Sequence, residues 1–257
     1  MNNLFLDVAI KAAKIAGEAL LDTYGKTKKN FKSDQSIVTE ADLKADSLIK
    51  NIIEKQFPTH SILSEESGKT IKKSDYLWAI DPLDGTTNFS VQNPYFAVSI
   101  ALLNKQQPLI GVVYSPFQDE LFAAKRHEGA YLNTNLINVD RNSTLEESFI
   151  AFCNGRDRST RELIIKIYSK LKLKNNFFRQ VGVPSLDLCY VASGRFGAFL
   201  MPGINSWDIA AGALIVQEAK GTVTDFHNNE FSIDSNNVLA SSSSLHAQLL
   251  RIITQVL

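Results

Sequence analysis

Hydrophobic residues recur at helical spacing in the first part of the chain. Apolar positions three and four residues apart predict one helix over residues 4–19 and a second that begins after Thr39 and ends before Pro58. The segment between them, residues 26–37, is polar and predicts an exposed loop or hairpin. Because Thr39 offers an N-cap oxygen, Asp42 is expected in the first turn of the second helix.

After residue 60 the pattern changes to short apolar runs separated by turn residues, which predicts strands. Several are expected to pair antiparallel, because the connections between them are short. The runs cover residues 62–63, 77–80, 96–103, 109–114, 120–124 and 130–132.

The last part of the chain alternates between strand and helix patterns, which predicts layers of sheet and helix. We expect an α+β protein with an N-terminal half over residues 1–145 and a C-terminal half over residues 146–257. No flexible linker divides the chain, so the halves are expected to form one continuous unit. Strands are predicted at 149–153, near 177, at 198–201, near 223 and at 238–240, and helices at 163–171, 186–192, 207–219 and 245–256.

Composition narrows the class of protein. The 257 residues include 27 Lys and Arg against 27 Asp and Glu, so no overall basic charge favours binding to nucleic acid or to an anionic membrane. The two cysteines, Cys153 and Cys189, form no C-x-x-C motif and predict neither a disulfide framework nor a zinc site. Charged residues interrupt the first 25 residues, and no apolar run is long enough to span a membrane. We therefore expect a cytoplasmic protein.

The segment over residues 78–89, WAIDPLDGTTNF, is the most informative motif. An apolar strand leads directly into Asp81 and Asp84, and Pro82 restricts Asp81 to extended geometry. Both carboxylates and the Leu83 carbonyl could therefore converge on one point. Such hard oxygen ligands suit Mg²⁺.

The same motif continues into a candidate phosphate site. Gly85 allows close backbone approach, and the amides of Gly85, Thr86 and Thr87 at a helix start would bind an anion. The alternative is an Asp-rich turn that merely caps a helix.

Three further acidic residues lie where a predicted strand ends or a predicted helix begins. Glu65 and Glu66 follow a strand, and Asp208 opens an Ala-rich helix after Trp207. The simpler explanation for Glu65 and Glu66 is a solvated pair in a loop, and for Asp208 it is stabilisation of a helix N-terminus. The presence of all three residues together with the Asp-Pro-Leu-Asp-Gly-Thr loop nevertheless indicates a site.

These motifs resemble those of the inositol monophosphatase family, within the superfamily of lithium-sensitive, magnesium-dependent phosphatases. The resemblance implies a layered αβαβα sandwich of the inositol monophosphatase and fructose-1,6-bisphosphatase type, a homodimer and inhibition by Li⁺. The motifs that carry it are, in chain order, residues 38–42, 64–68, 78–89, 207–212 and 218–221.

The resemblance implies two Mg²⁺ sites. Glu65, Asp81 and the Leu83 carbonyl would hold the first ion. Asp81, Asp84 and Asp208 would hold the second.

The resemblance also implies the remaining roles at the site. Gly85 and Thr86 would bind the phosphate, and Thr86 with Glu65 would orient and activate the attacking water. Asp42 would assist a weaker third metal site through water.

The substrate side departs from the family pattern. Inositol phosphatases of this family usually have a Glu seven residues before Asp208, where it contacts ring hydroxyls, and here that position is Met201. Met201 and Asp208 are both expected beside the substrate. Because a thioether accepts hydrogen bonds far more weakly than a carboxylate, inositol preference is expected to be weaker.

Basic residues and histidines are interpreted as secondary features. The basic run over residues 26–32 is interpreted as a solvated loop, although Lys32 could attract an anionic substrate. Arg156, Arg158 and Arg161 are interpreted as exposed charges at a helix start, or as residues of a dimer edge or substrate mouth. The histidines lack metal-ligand spacing and are interpreted as surface or capping residues: His60, His127, His227 and His246.

The leading hypothesis is a Mg²⁺-dependent phosphomonoesterase for a small polyol or sugar phosphate, with inositol 1-phosphate as the first candidate. A 3′,5′-bisphosphate nucleotidase or a histidinol-phosphate phosphatase is the alternative among enzymes. A regulatory binding protein on the phosphatase scaffold, without catalysis, is the alternative from another class. Neither nucleic acid nor a membrane is an expected partner.

Overall fold

Helices of the protein lie in three layers. The computed structural model describes residues 3–32, 36–142, 144–155 and 157–257. The helices of these residues are α1 (Leu4–Thr23), α2 (Glu40–Gln56), α3 (Thr86–Ser90), α4 (Arg158–Lys172), α5 (Pro184–Ala192), α6 (Ser206–Glu218) and α7 (Ser243–Ile253).

The strands form a hairpin and two sheets. The hairpin pairs β1 (Lys29–Phe31) with β2 (Ile37–Thr39). The first sheet has the order β10-β9-β8-β7-β6-β5-β3-β4, and only β3 and β5 pair parallel among its described strands. Its strands are β3 (Ser61–Ser64), β4 (Gly68–Thr70), β5 (Tyr76–Asp84), β6 (Ala97–Asn104), β7 (Gln107–Ser115), β8 (Glu120–Lys125), β9 (Ala130–Leu132) and β10 (Asn135–Ile137).

The second sheet has five strands in the order β12-β11-β13-β15-β14. In it β11 pairs parallel with β12 and β13, and β15 pairs antiparallel with β13 and β14. The strands are β11 (Ile150–Phe152), β12 (Phe178–Gln180), β13 (Ala198–Pro202), β14 (Thr222–Thr224) and β15 (Asn237–Ser241).

Three apolar clusters join these elements into an αβαβα sandwich. Helices α1 and α2 cover the outer face of the first sheet. Helices α5 and α6 lie between the two sheets, and α4 and α7 cover the outer face of the second. The layered α+β fold expected from the sequence is confirmed. Within the described residues, no helix is long and apolar enough to cross a membrane.

At one point the backbone of the central helix α6 packs directly against the backbone of the first sheet. A Cβ atom on Gly111 of β7 would lie 2.6 Å from the Ala211 carbonyl oxygen of α6, closer than atoms can approach. Glycine is therefore required here. This contact fixes the depth of α6 against the sheet and, with it, the position of Asp208 in the first turn of α6.

Most predicted elements are present. Thr39 caps α2 as expected, with a capping box in which its backbone N–H donates to Asp42 Oδ2 at 2.8 Å. The polar segment before it contains the hairpin. The three-residue strands β4 and β10 were not predicted, because β4 has no apolar residue and β10 has only the pair Leu136 and Ile137. Cys153 and Cys189 are free thiols, as expected.

The interpretation of the histidines as surface or capping residues is wrong for two of them. His60 is buried, stacks on Phe57 with ring centroids 4.9 Å apart, and accepts a hydrogen bond from Trp78 Nε1 at 3.1 Å. His246 is also buried, and its ring nitrogens lie 2.9 Å from Thr224 Oγ1 and 2.8 Å from Ser241 Oγ. Both rings contribute to the interior.

We predict that His246 makes the fold sensitive to acid. Burial lowers the pKa of His246 from 6.5 to about 4, so between these pH values the unfolded chain binds a proton that the folded chain excludes. Unfolding free energy should therefore fall as pH falls from 6.5 to 4, by on the order of 3 kcal/mol for this group. Urea unfolding at several pH values should show a smaller decline for His246→Gln.

The exposed His127 offers a matched control. His127→Asn should keep the wild-type pH dependence of unfolding, since it leaves His246 and its partners Thr224 and Ser241 unchanged. An identical decline for wild type and His246→Gln would contradict the prediction.

Candidate active site

The geometry of the first sheet brings Glu65 and Asp81 together. Because β3 and β5 run parallel in register from Ser61 and Leu77 to Ser64 and Ile80, the residues that follow lie at the same edge. The Glu65 backbone N–H donates to the Ile80 carbonyl at 3.1 Å, which continues the ladder by one residue.

Helix α6 adds a third carboxylate from the C-terminal half. Asp208 is the third residue of α6, and its Oδ2 accepts a hydrogen bond from the Asn205 side-chain amide at 3.2 Å. Glu65, Asp81 and Asp208 each offer a carboxylate oxygen, and these three atoms lie within 4.8 Å of one another. We call these residues the carboxylate cluster.

The carboxylate cluster is electrostatically strained without a cation. Burial, followed by repulsion from Glu65, Asp84 and Asp208, raises the pKa of Asp81 well above its ordinary range. A divalent cation between the three oxygens would remove this repulsion, and an all-oxygen donor set fits a hard ion such as Mg²⁺. The residues present therefore fit a metal site.

Lys32, which follows β1 in the hairpin segment, forms ion pairs at the edge of the cluster. Its Nζ lies 2.7 Å from Glu66 Oε1 and 3.5 Å from Glu65 Oε1. Burial still raises the pKa of Glu66 despite this contact. Lys32 is thus an ion-pair partner at the edge of the site rather than a solvated loop residue, and Glu66 faces Lys32.

Asp84 is held from the opposite half of the protein. Both the backbone N–H and the hydroxyl of Ser185, at the start of α5, donate to Asp84 Oδ2, at 2.7 Å and 2.5 Å. Asp84 is not one of the three cluster members, but burial and the charge of Asp208 raise its pKa as well. The two donors fix one carboxylate oxygen, and Asp84 lines the cleft together with Asp208.

The hydroxyl of Thr86 joins α2 to the loop. Thr86 Oγ1 lies 3.0 Å from Asp42 Oδ1 and 3.0 Å from the Leu83 carbonyl. Asp42 is buried, which raises its pKa, and its other oxygen accepts the Thr39 cap. The structure therefore brings Asp42, Leu83 and Thr86 together. Leu83 also donates its N–H to Asp81 Oδ1 at 3.0 Å.

Helix α3 begins at Thr86, as the motif predicts. Gly85 precedes it with a φ of 90°, and a Cβ there would lie 2.7 Å from Val183 Cγ2. Only glycine fits both the backbone angle and the space. The first-turn amides have no acceptor inside a helix, so they are suited to an anion.

Most of these groups line one cleft of about 650 Å³ between the two halves, whereas Asp42, Glu66, Lys32 and Ser185 are not part of its lining. Met201 lines the cleft from β13 and is 7% exposed, so its side chain contributes to both the cleft and the interior. Arg161 also lines the cleft, whereas Arg158 pairs with Glu162 at 2.7 Å. Arg156 lies outside the described residues. The other predicted site residues that line the cleft are Glu65, Asp81, Leu83, Asp84, Gly85, Thr86, Thr87 and Asp208.

A comparison of the amino-acid sequence with known protein families agrees with the motifs that line the cleft. Over residues 1–257 the chain matches the sequence profile of the inositol monophosphatase family. The chain belongs to this family.

Three relatives show how the family likeness extends over the chain. It is 37% identical over 254 residues to the Nus factor SuhB of Pasteurella multocida, covering 96% of this chain and 95% of that one. It is 36% identical over 249 residues to the inositol-1-monophosphatase of Synechocystis, covering 95% and 87%. The crystal structure of the extragenic suppressor protein SuhB of Bartonella henselae superposes with a TM-score of 0.94 at 34% identity, covering 99% and 100%.

In this member of the inositol monophosphatase family, sequence reasoning missed two residues behind the cleft. Ser185 carries no local signal, because its partner Asp84 is 101 residues away. Asp187 is fully buried one half-turn further along α5 and accepts a hydrogen bond from the Tyr95 hydroxyl at 2.8 Å. Burial raises the pKa of Asp187 to about 7.

Asn205, which lines the cleft, was also missed. It could have been predicted, since Asn-x-x-Asp before an apolar helix is a capping pattern.

We predict that neutralising Asp81 stabilises the cation-free protein. Asp81→Asn removes one of three repelling charges yet keeps an oxygen for the Leu83 N–H. In excess chelator its unfolding free energy should rise by on the order of 1 kcal/mol. Added Mg²⁺ should raise the melting temperature of the wild type strongly and that of the variant weakly, because binding stabilises the folded state.

The control for this measurement is Asp75→Asn, an exposed carboxylate outside the cluster. It should respond to chelator and Mg²⁺ as the wild type does. Full Mg²⁺ stabilisation of Asp81→Asn would contradict a metal role for Asp81.

Proposed function

We propose that the protein is a Mg²⁺-dependent phosphomonoesterase for a small polyol or sugar phosphate, with inositol 1-phosphate as the first candidate. Membership of the inositol monophosphatase family supports phosphatase chemistry. The single observation that carries the proposal is the carboxylate cluster, whose three oxygens lie within 4.8 Å of one another beside the start of α3.

We infer roles for the chain's own groups from this geometry. Glu65, Asp81, Asp84, Asp208 and the Leu83 carbonyl would hold two Mg²⁺ ions, with Asp42 assisting a third more weakly through water. Bound Mg²⁺ supplies positive charge that stabilises the negative charge of the transition state.

The start of α3 and the Thr86 hydroxyl would position the reactants. The amides of Gly85, Thr86 and Thr87 would bind the phosphoryl oxygens. With its hydrogen directed to Asp42 or to the Leu83 carbonyl, Thr86 Oγ1 accepts a hydrogen bond from the attacking water and so orients it. Glu65 would take the proton of that water as it attacks phosphorus. As the water oxygen bonds to phosphorus, the bond between phosphorus and the alcohol oxygen breaks, and the leaving oxygen takes a proton from solvent water, so that phosphate and alcohol are released.

The specific substrate depends on the other side of the cleft. Met201 places a thioether where a carboxylate would contact ring hydroxyls, so we propose modest selectivity among polyol phosphates. A 3′,5′-bisphosphate nucleotidase or a histidinol-phosphate phosphatase remains the alternative within enzymes. Inhibition by Li⁺, a homodimer and a cytoplasmic location stay predictions of the resemblance and composition.

A second candidate function is regulatory binding on the same scaffold. The observation that favours it is the name Nus factor carried by a relative that is 37% identical over nearly the full chain. Retention of the whole carboxylate set favours catalysis, since a binding role alone would not require it. A purified protein that binds Mg²⁺ but releases phosphate from no ester would favour the regulatory role.

The test of the primary function is a phosphate-release screen with Mg²⁺ and with chelator. Substrates are inositol 1-phosphate, glycerol 2-phosphate, sugar phosphates, 3′-phosphoadenosine 5′-phosphate and histidinol phosphate. We expect Mg²⁺-dependent release from polyol or sugar phosphates. Release that is unchanged by chelator would contradict the proposal.

We predict that Asp84→Asn lowers kcat by about 100-fold or more at saturating Mg²⁺, because a lost ligand weakens transition-state stabilisation. The fold should persist, since the amide oxygen can still accept from Ser185. Asp46→Asn is the matched control, because Asp46 is a buried carboxylate on α2 that accepts from Ser64 and does not line the cleft. Near wild-type turnover of Asp84→Asn would refute its metal role.

We predict that Met201→Glu raises the preference for inositol 1-phosphate. A charge-assisted hydrogen bond to a ring hydroxyl contributes roughly 1.5 to 3 kcal/mol, enough for about a tenfold change. The measurement is the ratio of kcat/KM for inositol 1-phosphate to kcat/KM for glycerol 2-phosphate, since a new carboxylate also repels phosphate in general. An unchanged ratio in a folded, active variant would show that Met201 does not contact the substrate.

A further inference from the structure

A second opening lies beside the cleft, between α4 and the edge of the second sheet. It has a volume of about 330 Å³. We call it the side groove, and its lining residues are Phe152, Asn154, Arg161, Ile164, Ile165, Tyr168 and Gln180.

The side groove adjoins the cleft. Asn154, Arg161 and Gln180 line both openings, so one row of polar side chains forms their common border. Within this border Gln180 Nε2 donates to Asn154 Oδ1 at 2.9 Å. A molecule in the cleft that extends past these three side chains therefore enters the side groove.

The remaining surface of the side groove is aromatic and aliphatic. The Tyr168 and Phe152 rings lie 5.7 Å apart, and both pack on Phe178, at 5.4 Å and 4.5 Å. Ile165 is 64% exposed on the surface of α4. An apolar side chain is unusual at such a position, because the exposed face of a helix usually carries charged or polar residues. Ile165 and Tyr168 are three residues apart, so they form one apolar strip along the groove.

This surface suits a flat ring better than a polyol. A polyol needs a hydrogen-bond partner for each hydroxyl that leaves water, and the apolar strip offers few. An aromatic ring gains from apolar burial and from contact with the Tyr168 ring, and the amides of Asn154 and Gln180 can meet polar atoms at its edge.

We propose that the side groove is a ring-binding subsite, which extends the substrates of the proposed function to phosphate monoesters whose alcohol carries a flat aromatic or heteroaromatic ring. The proposal rests on the proposed function for its phosphate end and adds this subsite to it. The border shared with the cleft argues for this occupant, whose phosphate end would lie at the carboxylate cluster.

The experiment uses pairs of substrates that differ only in the ring. Ethyl phosphate and 2-phenylethyl phosphate form one pair, and ribose 5-phosphate and adenosine 5′-monophosphate form the second. With Mg²⁺ present, kcat/KM should be about tenfold higher for the ring-bearing member of at least one pair. A preference in the first pair assigns a plain aromatic ring, and a preference in the second pair alone assigns a heteroaromatic one. Equal kcat/KM within both pairs would overturn the proposal.

Two single substitutions test whether the ring of the substrate binds in the side groove. Ile165→Ala should lower the ring preference about threefold to fivefold while kcat/KM for the ring-free member stays unchanged, and its exposure leaves the fold intact. Leu173→Ala is the matched control, since Leu173 is an 88% exposed aliphatic residue just beyond the same helix and outside the groove. A ring preference that Ile165→Ala leaves unchanged would place the ring elsewhere and refute the proposal.

A binding measurement separates this proposal from the proposed function. Calorimetry with 2-phenylethylphosphonate and ethylphosphonate, whose C–P bonds are not hydrolysed, reports the subsite even in a protein without turnover. Tighter binding of the ring-bearing phosphonate, weakened in Ile165→Ala, supports the subsite even if no ester is hydrolysed. Equal affinity, or binding of neither, contradicts the subsite even if inositol 1-phosphate is hydrolysed.

The same variants test whether a second copy of the chain covers the groove instead. Sedimentation of wild type and Ile165→Asp at several concentrations measures this directly. A dimer that Ile165→Asp dissociates would assign the groove to a subunit interface and overturn the proposal.

Discussion

Repulsion among buried carboxylates is the constraint around which the site is arranged. Glu65, Asp81 and Asp208 converge within 4.8 Å although two of them are buried. Moving such charges out of water costs several kcal/mol each unless opposite charge replaces the solvent. The chain supplies only part of that compensation, through backbone donors, helix starts and Lys32 at the edge. The remainder is a binding energy available to a divalent cation.

Helix N-termini provide the structural half of this compensation. Asp42 and Asp208 are each the third residue of a helix, and each takes part in a capping box with the residue before that helix. The positive end of a helix stabilises a carboxylate there, and the cap fixes its rotamer. One oxygen of each side chain is thus used to hold the helix start, and the orientation of the other oxygen follows from it.

The metal end of the cleft exists only when the two halves of the chain pack together. Asp208 reaches Asp81 because α6 lies against the first sheet at Gly111, and Asp84 is oriented by Ser185 from α5. The buried faces of both helices are mainly apolar, apart from polar side chains such as Asp187 and Asp208, so the free energy that holds them between the sheets is largely hydrophobic. The same packing that forms the core therefore places the carboxylates. A substitution that shifts α6 would move Asp208 even if the substituted residue does not belong to the site.

Sequence reasoning succeeded where a signal is local and failed where it depends on distant contacts. The layered fold, the start of α3 and the cap of α2 follow from periodicity and from single residues such as Thr39 and Gly85. Ser185 and the Lys32 ion pairs depend on residues far along the chain, so no spacing reveals them. His60 and His246 were misjudged because their polar atoms are satisfied by Trp78, Thr224 and Ser241, which only the tertiary fold brings near.

The two ends of the cleft are constrained to different degrees, and this difference explains why reaction type is easier to infer than substrate. At the carboxylate cluster, Asp42 and Asp208 also cap helices and Gly85 also fits against Val183, so substitution of these three residues would cost stability as well as chemistry. At the end that we propose contacts the organic part of the substrate, Met201 packs without a hydrogen bond and Ile165 is largely in solvent. Such positions can change while the fold persists. Specificity can therefore be altered by single residues there, whereas phosphoryl chemistry requires the whole buried arrangement.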